Sequence, residues 1–149
     1  ASLEATTTAP DALEKELAIV QAVPESATAL NNAGSQLLQR GRHKEALAPL
    51  RKALKLQPGL GQASMSLSDA LAAVAQEEAQ AGRLDSALIY LREALEVEPD
   101  SAERHNDLGV LLANLGRYDE AEFALREALL LDPNHASARQ NLEQIQQMR

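Results

Sequence analysis

Ten polar residues carry the groups best able to grip another chain. Asn31, Asn32, Ser35 and Gln39 fall in one stretch, and Gln76 stands by itself. Asn106, Asp107 and Asn114 share a second stretch, and Gln140 and Gln144 lie near the C-terminus. A carboxamide offers two N–H donors and a carbonyl acceptor, so a row of them can pair with the backbone of an extended peptide. Such residues also serve as plain solvated surface. Asn31-Asn32 and Asn106-Asp107, however, are unfavourable pairs inside a helix. Their return in two similar stretches favours a purpose, structural or binding, over indifference.

Other chemistry finds no constellation to work with. His43, His105 and His135 are far apart and not at metal-ligand spacing. Glu77-Glu78 and the pair Glu120 and Glu122 read as charge on helix surfaces rather than as a general acid and base. With no cysteine there is neither a thiolate site nor a disulfide framework. No Gly-rich phosphate loop, zinc motif or nucleophile elbow occurs. The expectation is therefore no catalytic residue, no metal ligand and no cofactor.

The elements that must position these residues are helices. The 149 residues are 45% hydrophobic but only 2% aromatic. Alanine and leucine supply most of the apolar content, and both are strong helix formers. β-branched residues never cluster at period two, so nothing reads as a strand. The net charge of −8 argues against nucleic-acid binding. That charge is uneven, at −4 over residues 1–25, +5 over 26–58 and −9 over 59–149. The basic run Arg40, Arg42, Lys44, Arg51, Lys52 and Lys55 reads first as a solvated helix face and second as a docking patch for an acidic partner. No apolar run nears the ~20 residues that span a bilayer, and no signal peptide is visible, so a soluble chain without membrane insertion is expected. A start at Ala1 without methionine suggests a chain processed or cut from a longer one.

Three segments end alike. Gly41, Gly82 and Gly116 each open a run containing Ala46, Ala87 or Ala121, and each run closes at Pro58, Pro99 or Pro133. Both the glycines and the prolines are spaced by 41 and then 34 residues. Glycine suits the left-handed conformation that closes a helix, and proline cannot continue one. Leu50, Ala53 and Leu54 fall at i, i+3 and i+4 on one helical face. Gly34 and Gly109 sit inside helices, where each costs about 1 kcal/mol relative to alanine. That cost makes sense where another helix packs on the spot. Asp100 with Glu103 has the spacing of a capping box, and Asn134 stands where an N-cap is expected.

These repeats resemble the tetratricopeptide repeat family, a 34-residue helix–turn–helix unit. The likeness rests on Ala33-Gly34, Ala46 and Ala53 in the first unit and on Leu108-Gly109, Ala121 and Ala128 in the third, with Tyr118 at a position the family often gives to an aromatic. The resemblance implies an all-α fold, a right-handed α-α superhelix of stacked antiparallel helix pairs. Residues 27–60, 61–101 and 102–135 would form three units. The middle one is seven residues longer, with the excess before Gly82 and best placed at 75–81. A single helix from about 61 to 81 would run roughly 30 Å and overhang its partner by roughly 10 Å. Residues 1–10 read as a flexible N-terminal segment, 11–23 as a capping helix or a decayed half-repeat, and 136–149 as a C-terminal capping helix.

The resemblance also implies a function. In that family the first helices line a concave groove that receives an extended peptide or a partner helix. The ten polar residues would lie there, and the chain would be a non-enzymatic scaffold for a protein or peptide partner. The alternative is a substrate-docking or regulatory module of a larger enzyme, and exposed end faces offer a route to self-association. Family members that grip a C-terminal carboxylate use lysines, an arginine and asparagines. The matching positions here are Asn31, Ser35, Ala73 (or Ser66), Glu103 and Asp107, and none of them is basic. A free carboxylate is therefore expected to be repelled.

Overall fold

The computed structural model describes Asp11, Ala12, Glu14 and residues 26–149. Among the described residues all regular structure is helical. The elements are α1 (Ala27–Gln39), α2 (His43–Leu56), α3 (Gly61–Gln80), α4 (Leu84–Val97), α5 (Ala102–Asn114), α6 (Tyr118–Leu131) and α7 (Ala136–Met148). The segment expected to be flexible (1–10) and the capping helix or half-repeat expected at 11–23 lie outside the described residues, save that the Glu14 N–H donates to Asp11 Oδ1 at 2.8 Å.

The closest packing is within the pairs α1–α2, α3–α4 and α5–α6, and each pair then packs on the next. First helices also touch one another, α1 to α3, α3 to α5 and α5 to α7, whereas second helices approach less closely, α2 reaching α4 through the long Arg51 and Glu93 side chains. A stack that is tight along one wall and splayed along the other is an all-α solenoid with a concave face of first helices.

The loops between paired helices repeat one hydrogen-bond pattern. Gly41, Gly82 and Gly116 adopt φ of 74°, 84° and 76°. Their N–H groups bond back to Leu38, Ala79 and Ala113, and the following arginines bond back to Leu37, Glu78 and Leu112. This is the paired closure that satisfies the last carbonyls of a helix around a left-handed residue.

Within the pairs, small residues let the helices close. Ala46, Ala87 and Ala121 are fully buried. A Cβ on Gly34 would come within 2.5 Å of Leu50 Cγ, and one on Gly109 within 2.6 Å of Leu125 Cγ. Burying Leu37, Leu50, Leu71 and Leu125 removes their apolar surface from water and adds to the cohesion of the stack.

Two caps differ from the sequence reading. Ser101, not Asp100, caps α5 by accepting from the Arg104 N–H at 3.2 Å. His135, not Asn134, caps α7, its Nδ1 accepting from the Ala138 N–H at 3.1 Å. In both cases the chain needs one more residue after the proline to turn into the helix.

The middle pair carries the added length. α3 has 20 residues, against 13 in α1 and in α5. Ala81, the expected end of the helix, is its exposed C-cap. The two neighbours of α3 dock at different registers. Ser35, the ninth residue of α1, meets Ser66, the sixth of α3, with 3.2 Å between hydroxyls. Arg104, the third residue of α5, reaches Ser68 and Asp69, the eighth and ninth of α3. So α1 runs beside the first half of α3 and α5 beside the second.

The last turns of α3 cover the start of α2. Glu77 contacts His43, and Glu78 pairs with Lys44 at 3.5 Å and with Arg83 at 2.5 Å. Glu78 stands four residues before its glycine, where the neighbouring units bury Leu37 and Leu112, and it is itself buried. The hydrogen bond and charge of Arg83, with help from Ser86 and Lys44, hold its carboxyl at a pKa of about 2 against the opposing effect of burial.

Candidate functional site: a groove between the inner helices

A cavity of about 360 Å³ opens on the concave wall between α3 and α5. Its floor is small and apolar, built by Ala72, Ala75 and Ala79 of α3 with Leu91, Val110 and Leu111. Its polar lining is Gln76 from α3 and Glu103, Arg104, Asp107 and Asn114 from α5. Helical spacing explains the set. Residues 72, 75, 76 and 79 form one face of α3, and 103, 107, 110 and 114 form one face of α5.

Arg104 organises the polar side. Its side chain is only 15% exposed. Nε donates to Ser68 Oγ at 3.2 Å, one terminal nitrogen to Asp107 Oδ2 at 3.0 Å, and the other to Asp69 Oδ1 at 2.5 Å. The guanidinium fork thus bolts α5 to α3. Asp107 feels opposing influences. Burial raises its pKa, the hydrogen bond and charge of Arg104 pull it down, Glu103 raises it, and the net shift is upward.

Glu103 contacts His135 Nε2 at 2.9 Å. His135 Nδ1 accepts from a backbone N–H, so it is Nε2 that is turned to Glu103.

The ten residues singled out from the sequence separate into three groups. Gln76, Asp107 and Asn114 come together in the cavity. Asn32, Gln39, Gln140 and Gln144 are exposed on α1 and α7, away from it. Asn31, Asn106 and Ser35 are not open inner positions. Asn31 is 4% exposed and Asn106 7%, while Ser35 is half-buried against Ser66. An inner helix is flanked on both sides, so it buries a second face that a one-face register assigns to solvent. Asn106 Oδ1 accepts from Asn141 Nδ2 at 3.0 Å, tying α5 to α7. Asn31 Oδ1 has no hydrogen-bond partner.

Arg104 and Asp69 are what sequence reasoning missed as a unit. Helical register alone makes Asp69 a candidate, but nothing local pairs it with an arginine 35 residues on.

The histidines act in packing and capping. His105 Nε2 meets the Pro99 carbonyl at 2.9 Å, His43 meets Glu77 and His135 caps α7. No group of three or more metal-ligating side chains occurs among the described residues, and no described helix is long and apolar enough to cross a membrane. Within the basic run at 40–55, Arg51 and Lys44 pair across the stack and Arg42 pairs locally. Arg51 makes a bidentate contact with Glu93 at 2.8–3.0 Å, and Arg42 and Lys44 hold Glu45 and Glu78.

Two family models, both described as tetratricopeptide repeat, match residues 9–61 and 78–145. Among solved structures the chain is similar to the crystal structure of MamA, at 18% identity over 91% of this chain and 75% of that one, with a TM-score of 0.65. It is also similar to the first TPR of Spaghetti (RPAP3) bound to the HSP90 peptide SRMEEVD, at 19% identity over 82% of this chain and 91% of that one, TM-score 0.57. A third is TTC0263, a thermophilic TPR protein in Thermus thermophilus, at 27% identity over 91% and 72%, TM-score 0.52. No curated protein matches the chain in sequence.

Proposed function

This chain belongs to the tetratricopeptide repeat family of protein-interaction scaffolds, and we propose that it holds a peptide or a segment of a partner protein in the groove between α3 and α5. The observation that carries the reading is the cavity itself. Gln76, Asp107 and Asn114 rim an apolar floor large enough to take a side chain, on the wall where first helices face inward. Apolar recesses with a few convergent polar groups are where ligands are held in folded proteins. A structural neighbour that carries a peptide, the RPAP3 repeat, supports the general mode.

The roles follow from geometry. Val110 and Leu111 exclude water from an inserted side chain. Gln76 and Asn114 line the same cavity from α3 and α5, and their carboxamides can hydrogen-bond a peptide backbone. Asn106 acts in this reading as an internal tie that keeps α5 and α7 in register, and Asn31 is buried rather than open to the guest. The exposed Asn32, Gln39, Gln140 and Gln144 extend the polar wall on either side.

Selection of a random peptide library on the immobilised chain tests this. Selected peptides should bind at least roughly tenfold more weakly to Val110→Glu with Asn114→Ala, and equally well to Phe123→Ser, a change on the exposed outer side of α6. Dependence on Phe123 rather than on Val110 and Asn114 would move the site to the outer face.

A further inference from the structure

We infer that the occupant of this groove is a basic segment, an apolar side chain flanked by lysine or arginine. This inference rests on the groove reading above and specifies its partner. The apolar part follows from the floor of Ala72, Ala75, Ala79, Val110 and Leu111. Alanines leave room, and no aromatic or charged side chain fills it.

The basic part follows from charge at the rim. Asp107 and Asp69 hold the Arg104 guanidinium, and Glu103 lines the same cavity as Arg104 and Asp107. Arg104 is already committed to Ser68, Asp69 and Asp107, and Glu103 meets only the His135 ring. By formal charge the three carboxylates outnumber the one guanidinium by two. Asp69 and Glu103 are 64% and 60% exposed, so each has oxygen free to receive an incoming cation. A carboxylate arriving there would meet like charge and would have to compete with two resident carboxylates for Arg104. A lysine or arginine would complete the balance at little desolvation cost, because the acceptors sit at the edge rather than on the floor.

The test uses the same random-library selection, read by composition. The pool selected on the wild-type chain should be enriched in Lys and Arg within two residues of Leu, Ile, Val or Met. Selection on Asp69→Asn with Glu103→Gln should keep the apolar enrichment and lose the basic one. The best wild-type peptide should bind that variant roughly tenfold more weakly, and about 0.5 M salt should erase the difference. The same peptide with each Lys and Arg replaced by Glu should not compete with it.

A groove-dependent pool with no basic enrichment, or with acidic enrichment, overturns the inference and leaves the groove reading standing. Competition by the Glu-substituted peptide at equal or higher affinity also overturns the inference. A pool indifferent to Val110→Glu removes the groove reading and this inference with it.

Discussion

Replacing Gly109 by alanine should destabilise the protein even though alanine is the better helix former. In isolation the change gains about 1 kcal/mol. Here the new Cβ would lie 2.6 Å from Leu125 Cγ, 2.8 Å from Leu125 Cδ2 and 3.2 Å from the Ala121 carbonyl oxygen. Leu125 is fully buried and cannot swing away, and the carbonyl belongs to the helix backbone. Relief requires α5 and α6 to separate, which costs about 2 kcal/mol for an overpacked site. The net loss is therefore about 1 kcal/mol. A methyl at this place is not forbidden in principle, since Ala75 stands at the equivalent position of α3 in the same cluster as Leu91.

The decisive measurement is a double-mutant cycle with Leu125→Ala, followed by urea unfolding and far-ultraviolet circular dichroism. Leu125→Ala alone should lose about 2–5 kcal/mol. In that background Gly109→Ala should stabilise by about 1 kcal/mol, because the clash is gone and only the helix preference remains. The sign of one substitution thus depends on its neighbour. If Gly109→Ala stabilises the protein with Leu125 in place, the close-packing argument fails.

Three further outcomes are expected. The folded-state pKa of Glu78, about 2, lies below its ordinary 4.5, so its contribution is full above 4.5 and fades as pH falls toward 2; Glu78→Gln should lower the urea midpoint at neutral pH, and the gap to wild type should close across that window. Asn106→Ala removes the acceptor for Asn141 and should cost about 1 kcal/mol, with amide hydrogen exchange accelerating in α7 and not in α1. Ser101→Ala should lower the thermal midpoint by the equivalent of about 1 kcal/mol, and Asp100→Ala should leave it within a few tenths, because Ser101 provides the cap.

What could be read from the sequence was whatever a single helix declares about itself. The glycines at 41, 82 and 116 and the alanines at 46, 87 and 121 carry their reason locally, and the all-α solenoid follows from them. Readings failed where a residue's fate depends on a second neighbour. Asn31 and Asn106 look like solvent-facing carboxamides on a helix packed along one face, yet an inner helix is sandwiched and buries them. The Arg104 fork joins residues 35 positions apart across α3 and α5, so no local pattern foretells it. The caps slipped by one residue at Ser101 and His135, because the exit from proline is set by backbone geometry that polar residue types alone do not fix.

The unequal docking of α1 and α5 along α3 introduces a dislocation into an otherwise regular stack. Seven residues amount to about 10 Å of helix rise, so the trough beside α1 and the trough beside α5 are displaced lengthwise by nearly two turns. A straight ribbon of polypeptide cannot lie flush in both. Any guest must be brief enough to use one berth, or must bend where it crosses the fault.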